Sequence, residues 1–271
     1  MARCVLRLIG LGLVLLAIGG APAAVAHKSG GTLRLHTLDS PASMSIHEEA
    51  TVFAERPVMA VFNNLVLFDQ HVAQNSMNSI LPELAKSWSW NEDGTELTFQ
   101  LRDGVKWHDG KPFTAADVKC TWDLLQGKSA EKLRVNPRKA WYSNLVEVKA
   151  NSDYEATFVL KRPQPAFIAL LASGMSPVYP CHVPPAQMRQ HPIGTGPFKF
   201  VEFKPNEVIR LTRNLDYWKP GLPYLDGIEY TVIRNTSTAV LALASGKFDR
   251  TWPGVVPLPL MHEIKSQAPQ I

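Results

Sequence analysis

Residues 101–125 read LRDGVKWHDGKPFTAADVKCTWDLL, and this stretch decides the fold. Two turn dipeptides, Asp103-Gly104 and Asp109-Gly110, break it up, because Gly takes a positive φ at no steric cost. Pro112 fixes the backbone ahead of a helix start. Thr114 stands as the N-cap, and Asp117, three residues on, as its capping-box partner. Val118, Trp122 and Leu125 then recur at i, i+4 and i+7 and give that helix an apolar face. The run reads strand, turn, short strand, turn, capped helix. Trp107-His108-Asp109 falls in the second turn. A His next to an Asp does not by itself make an acid–base pair, since other groups must build that geometry, so a structural turn is expected.

The flanking sequence extends the pattern on both sides. Leu97, Phe99 and Leu101 alternate with polar neighbours and predict a hairpin with the Ser87–Trp90 stretch around Asp93-Gly94. A second hairpin is predicted from Leu145–Lys149 and Tyr154–Leu160 around Asn151-Ser152-Asp153. Gly31–Leu38 alternates as a strand, with Leu33 and Leu35 on one face. Val58–Leu67 reads as a helix ending near Phe68-Asp69, Gln164–Leu171 as a short helix, and the proline-rich Pro177–Pro185 as irregular chain. Phe198 and Phe200 open a strand that pairs with Val208–Leu211 across a turn at Lys204-Pro205-Asn206. Ile228–Ile233 is a β-branched strand, and Thr236–Ser245 a helix stopped by Gly246.

The N-terminus reads as a secretory signal, with Arg3 and Arg7 ahead of an apolar Leu8–Ala23 and small residues at Ala24-Val25-Ala26. Gly19, Gly20 and Pro22 interrupt the apolar run, which is short for a membrane span. A soluble periplasmic chain beginning at His27 is therefore expected. The formal charge of +4 falls further without Arg3 and Arg7, too balanced to call for nucleic acid or an anionic membrane. Cys120 and Cys181 remain in the mature chain, in a compartment that permits disulfides. Their separation in space cannot be read from the sequence, and two independent buried thiols are preferred over a bridge. No CxxC, HExxH, GxSxG, Walker loop or Rossmann fingerprint occurs, and no cofactor or metal is expected.

The 101–125 run resembles the hallmark segment of the family 5 extracellular solute-binding proteins, which deliver peptides, nickel and other solutes to ABC importers. Further segments resemble the same family in the expected order: GTGPFKF at 194–200, RNLDYW at 213–218, GLPYLDGIEY at 221–230 and the glycine-to-aspartate motif Gly246-Lys247-Phe248-Asp249. The resemblance implies an α/β fold of the periplasmic-binding-protein type II kind, here its first lobe: a central mixed sheet with an inserted α+β subdomain. It places residues 27–68 and 193–271 in the central subdomain and 69–192 in the insertion. The chain stops at roughly half the family's usual length, so the second lobe is expected to be missing. The function implied is capture of a peptide or similar organic solute and its delivery to membrane permease subunits, by a monomer that is not an enzyme. The alternative is a truncated, non-transporting remnant or interaction protein.

Candidate solute contacts follow from the same resemblance and from strand-end logic. In relatives the segment equivalent to Asp249–Pro253 touches ligand, which selects Arg250, Thr251 and Trp252. Ligands of open α/β sheets sit beyond the carboxyl ends of strands, which selects Asp39, Ser40 and Met44 after the first strand. Asn63 and Asn64 are expected to cap the preceding helix rather than reach the cleft.

Overall fold

The structure is a computed structural model, and it describes residues 29–250 and 256–267. The signal segment, Thr251 and Trp252 lie outside the described residues. In chain order the elements are β1 (Thr32–Thr37), α1 (Val52–Val61), β2 (Val66–Phe68), β3 (Ile80–Pro82), β4 (Ala85–Trp90), β5 (Glu96–Leu101), α2 (Ala115–Gln126), β6 (Leu145–Ser152), β7 (Glu155–Leu160), α3 (Phe167–Leu171), α4 (Pro185–Met188), β8 (Phe198–Lys204), β9 (Val208–Arg213), β10 (Gly227–Val232), α5 (Thr236–Ala244) and α6 (Leu258–Gln267).

The 101–125 run folds as its turn and capping chemistry dictate. Gly104 and Gly110 hold φ of 75° and 87°, and Lys106 bridges Pro112 between them. The Asp117 carboxylate accepts the Thr114 N–H at 3.0 Å and the Trp107 indole N–H at 3.2 Å. One carboxylate thus caps α2 and ties it to the preceding turn. The buried face of α2 lies on an antiparallel sheet of order β4-β5-β7-β6. Trp122 meets Phe158 edge-on, with centroids 4.8 Å apart, in a core running from Leu65 to Val178.

A second sheet has the order β1-β10-β9-β8, with β1 parallel to β10 and the other pairs antiparallel. Leu33, Ile228 and Leu211 lie in register on one face, as do Leu35, Tyr230 and Ile209. They form a separate core with α1, the Met44–Ile46 loop and Tyr179, Val183 and Met188. The opposite face carries the row Arg34, Glu229, Arg210 and Glu202. Arg210 bonds both Glu229, at 2.7 Å, and Glu202.

Three expectations are corrected. The helix predicted over Val58–Leu67 ends at Val61, and Val66–Phe68 is instead a strand paired with Ile80–Pro82. The backbone turns extended at Phe62, and the apolar residues beyond it find a strand partner. Asn63 and Asn64 do not cap α1; their side chains bond to distant segments, as described below. Cys120 and Cys181 are not independent thiols but a disulfide with Cα atoms 5.7 Å apart, and Cys181 is exposed.

Candidate functional site

The family-like motifs converge at the end of α1. Gly194 and Gly196 pass directly against it: a Cβ on Gly194 would stand 1.9 Å from the Val61 carbonyl oxygen, and one on Gly196 2.6 Å from the same atom. Gly196 N–H donates to that carbonyl at 2.9 Å. From the other side His108 grips the same loop. Its Nδ1 accepts the Gly194 N–H at 3.3 Å and its Nε2 donates to the Gly196 carbonyl at 3.0 Å. Only a neutral ring protonated on Nε2 serves both bonds. Burial pulls its pKa down to about 4. His108 is thus structural, and Asp109 pairs with His182 at 2.7 Å.

Asn63 is the hub of the junction. Its amide donates to Glu83 at 2.6 Å and to the Tyr217 hydroxyl at 3.3 Å. Its carbonyl accepts from Thr195 at 2.9 Å and from the Trp218 indole at 3.3 Å. Glu83 also meets Lys219 at 2.5 Å, and Arg102 lies over the Trp218 ring at 5.0 Å. Burial raises the Glu83 pKa against the pull of Lys219 and Asn63. Asn64 donates to the carbonyls of Leu171 and Ser173.

Beside this hub opens a cleft of about 650 Å³, lined by α1, β2 and the 172–177 turn. Its volume is within the range of small-molecule sites, about 300–1,000 Å³. Val52, Glu55, Arg56 and Met59 present one stripe of α1 to it, and Phe62, Leu67 and Phe68 add apolar wall. Asn63, Asn64 and Glu83 also line it. Burial raises the Glu55 carboxyl pKa and lowers that of the Arg56 guanidinium. Opposite charges, amides and apolar surface in one cleft suit a zwitterionic organic solute. Among the described residues no group of three or more His, Cys, Asp or Glu is placed to share a metal ion.

The four described sequence candidates lie outside this cleft. Asp39 follows β1 and pairs with Arg234 at 3.1 Å. Ser40 donates its N–H to the Asp39 carboxylate and its hydroxyl to the Pro41 carbonyl. Met44 is fully buried in the core beneath the sheet. Arg250 is exposed and bridges Leu35 in parallel with β1. It is set there by Asp249, which holds the Arg34 backbone N–H at 2.7 Å and its guanidinium at 2.8 Å. None of these four lines the cleft, though the charge of Arg250 is felt at Arg56. The sequence reading did not single out Glu55, Arg56 or Met59, because α1 starts at Val52, six residues before the helix expected from Val58. The signal was present, since Val52, Glu55, Arg56 and Met59 fall at i, i+3, i+4 and i+7.

The sequence profile of the bacterial extracellular solute-binding proteins, family 5 Middle, matches residues 79–266, and the chain belongs to this family. It is 26% identical over 225 residues to the glutathione-binding protein GsiB of Escherichia coli, covering 74% of this chain and 42% of that one. It is 31% identical over 206 residues to a putative ABC transporter peptide-binding protein of Brucella ovis, covering 72% of this chain and 36% of the relative. The oligopeptide-binding protein AppA of Bacillus subtilis, solved with a nonapeptide, superposes with a TM-score of 0.75 at 28% identity, covering 88% of this chain and 46% of AppA. The chain therefore spans less than half the length of the relatives it matches, which fits a partial protein. No described helix is long and apolar enough to cross a membrane.

Proposed function

We propose that the chain is the first lobe of a periplasmic solute receptor for an ABC importer, and that it captures a short peptide or similar zwitterionic solute. The observation that carries this reading is the cleft along α1, where Glu55 and Arg56 set opposite charges over an apolar wall. A peptide offers matching features: an ammonium, a carboxylate and apolar side chains. Similarity to relatives named for peptide and glutathione binding supports the same solute class. Asp39, Ser40 and Arg250 would extend the contact surface past the end of β1, with Thr251 and Trp252 continuing from Arg250. Met44 would back that surface from the core. In this reading residues 27–68 and 193–271 form the central subdomain and 69–192 the insertion. Delivery to permease subunits would follow closure of the full receptor.

The test is calorimetric titration of the purified chain, from His27 onward, with pools of di- to pentapeptides. Saturable binding that weakens in a Glu55→Gln variant is expected. Titrations without heat for every pool, on this chain and on any longer product of the same gene, would refute solute capture and favour a non-transporting role.

A further inference from the structure

We propose that the Cys120–Cys181 disulfide is a redox-sensitive staple that holds the loop between β1 and α1 in its place. The loop, Ser43–Glu49, is almost wholly buried although it contains five polar residues. It leads directly into the stripe of α1 that faces the cleft.

Two segments hold the loop: the buried Arg138 guanidinium donates to the Ile46 and Glu49 carbonyls and the Arg134 N–H to the Glu48 carboxylate, and the irregular 177–189 segment supplies the remaining contacts. His47 Nε2 bonds the Pro177 carbonyl at 3.0 Å, and its ring packs 4.3 Å from that of Tyr179. The Ser45 hydroxyl lies 3.4 Å from the Tyr179 hydroxyl. Met44 N–H donates to the Arg189 carbonyl at 2.9 Å. The Arg189 guanidinium clasps Glu48 at 2.7 and 2.8 Å.

This segment has little regular structure of its own, only the four residues of α4. Its anchor is α2. Tyr179 N–H donates to the Thr121 hydroxyl at 2.9 Å, and Cys181 N–H to the Asp117 carboxylate at 2.8 Å. The disulfide adds the one covalent tie, closing a loop across a sequence separation of 61. The chain of support runs from α2 through the bridge to residues 177–189, then to residues 43–49 and α1. It also joins the two hydrophobic cores, because α2 belongs mainly to one while Tyr179, Val183 and Met188 belong to the other.

The bridge is open to reagents. Cys181 is exposed, and a cavity of about 340 Å³ opens on both cysteines. A dithiol such as dithiothreitol can reduce it in two exchanges. One thiolate attacks Sγ of Cys181 and releases Cys120 as a thiolate, leaving a mixed disulfide. The second thiolate attacks the reagent's own sulfur and releases Cys181. The reagent ends as a cyclic disulfide, and its two protons pass to the two cysteines. Oxidation reverses the sequence and needs a disulfide donor of the same class.

Hydrogen exchange read by mass spectrometry tests the staple without any solute. Three samples are compared: the oxidised chain, the chain reduced with dithiothreitol under native conditions, and the Cys120→Ser/Cys181→Ser variant. Reduction or substitution is expected to speed exchange about tenfold or more in peptides covering 43–49 and 177–189, with the β5 and β7 peptides unchanged. Unchanged exchange in both target segments would overturn the proposal. So would a uniform rise throughout the chain, because the bridge would then be a general stabiliser, or free thiols at both positions in the oxidised sample. Only the bearing on solute capture rests on the function proposed above: peptide affinity should fall with reduction, whereas the exchange result stands even if no solute is found.

Discussion

Acidification should loosen the clamp between His108 and the Gly194–Gly196 loop, and a single variant isolates the effect. His108 is partly buried, with Nδ1 accepting from Gly194 and Nε2 donating to Gly196. A second proton would have to sit on Nδ1, pointing at a backbone N–H. The folded-state pKa is accordingly about 4 against an ordinary 6.5. A base depressed in this way keeps its contribution above pH 6.5 and loses it as pH falls toward 4. The full shift corresponds to about 3 kcal/mol, most of it lost by pH 4.5. His108→Gln keeps a donor for the Gly196 carbonyl and cannot titrate. At pH 7.5 it should cost about 1 kcal/mol for the lost acceptor. Urea unfolding followed by tryptophan fluorescence, between pH 7.5 and 4.5, gives the difference between the two proteins. That difference should shrink as pH falls, change sign near pH ~6, and favour the variant at the acid end. His47, depressed to about 3 by burial, and the carboxylates act equally in both proteins and cancel. A stability difference that stays constant over this range would refute the assignment of His108 as a neutral clamp.

Gly194→Ala should destabilise by about 3 kcal/mol or more, since the new Cβ meets a backbone carbonyl that cannot retreat; a urea midpoint near that of the parent would show that the loop does not press on α1. Asn63→Ala removes four hydrogen bonds at a buried junction and should cost about 2–3 kcal/mol by the same assay. Glu55→Gln should leave the unfolding midpoint within about 0.5 kcal/mol of the parent while weakening peptide binding about tenfold; equal affinities would remove Glu55 from the solute site.

Local chemistry was the legible part of the sequence. The capped helix, both hairpins and the glycine turns came directly from residue type and spacing, because each is decided within a few residues. The apolar run Val58–Leu67 points to a helix there, whereas α1 starts at Val52, where Glu55 and Arg56 interrupt the apolar pattern yet share a stripe with Val52 and Met59 over the cleft. The bridge between Cys120 and Cys181 could not be read, because it depends on how the Pro177–Pro185 segment folds back on α2. The hub role of Asn63 was hidden for a similar reason. Its four partners lie between 20 and 155 residues away, and no local pattern announces them. Family resemblance supplied the architecture, and the structure adds what the motifs do. The WHDG turn, the GTGPF loop and the Tyr217-Trp218 pair are neighbours that lock one another around the end of α1.

The parallel pairing of β1 with β10 also fixes an order in time. Gly31 finds its partner Asp226 only 195 residues later, whereas the β4–β7 sheet closes within a short stretch of chain. A ribosome or a translocation pore delivering this chain from its N-terminus presents β1 first and its mate nearly last. The β4–β7 sheet can therefore assemble while β1 still waits with open hydrogen bonds, and pairing at such range is intrinsically slow. A chain interrupted before Gly227 would hold a finished β4–β7 sheet and an unpaired β1, so quality control acting on nascent or stalled chains would meet β1 as the exposed element.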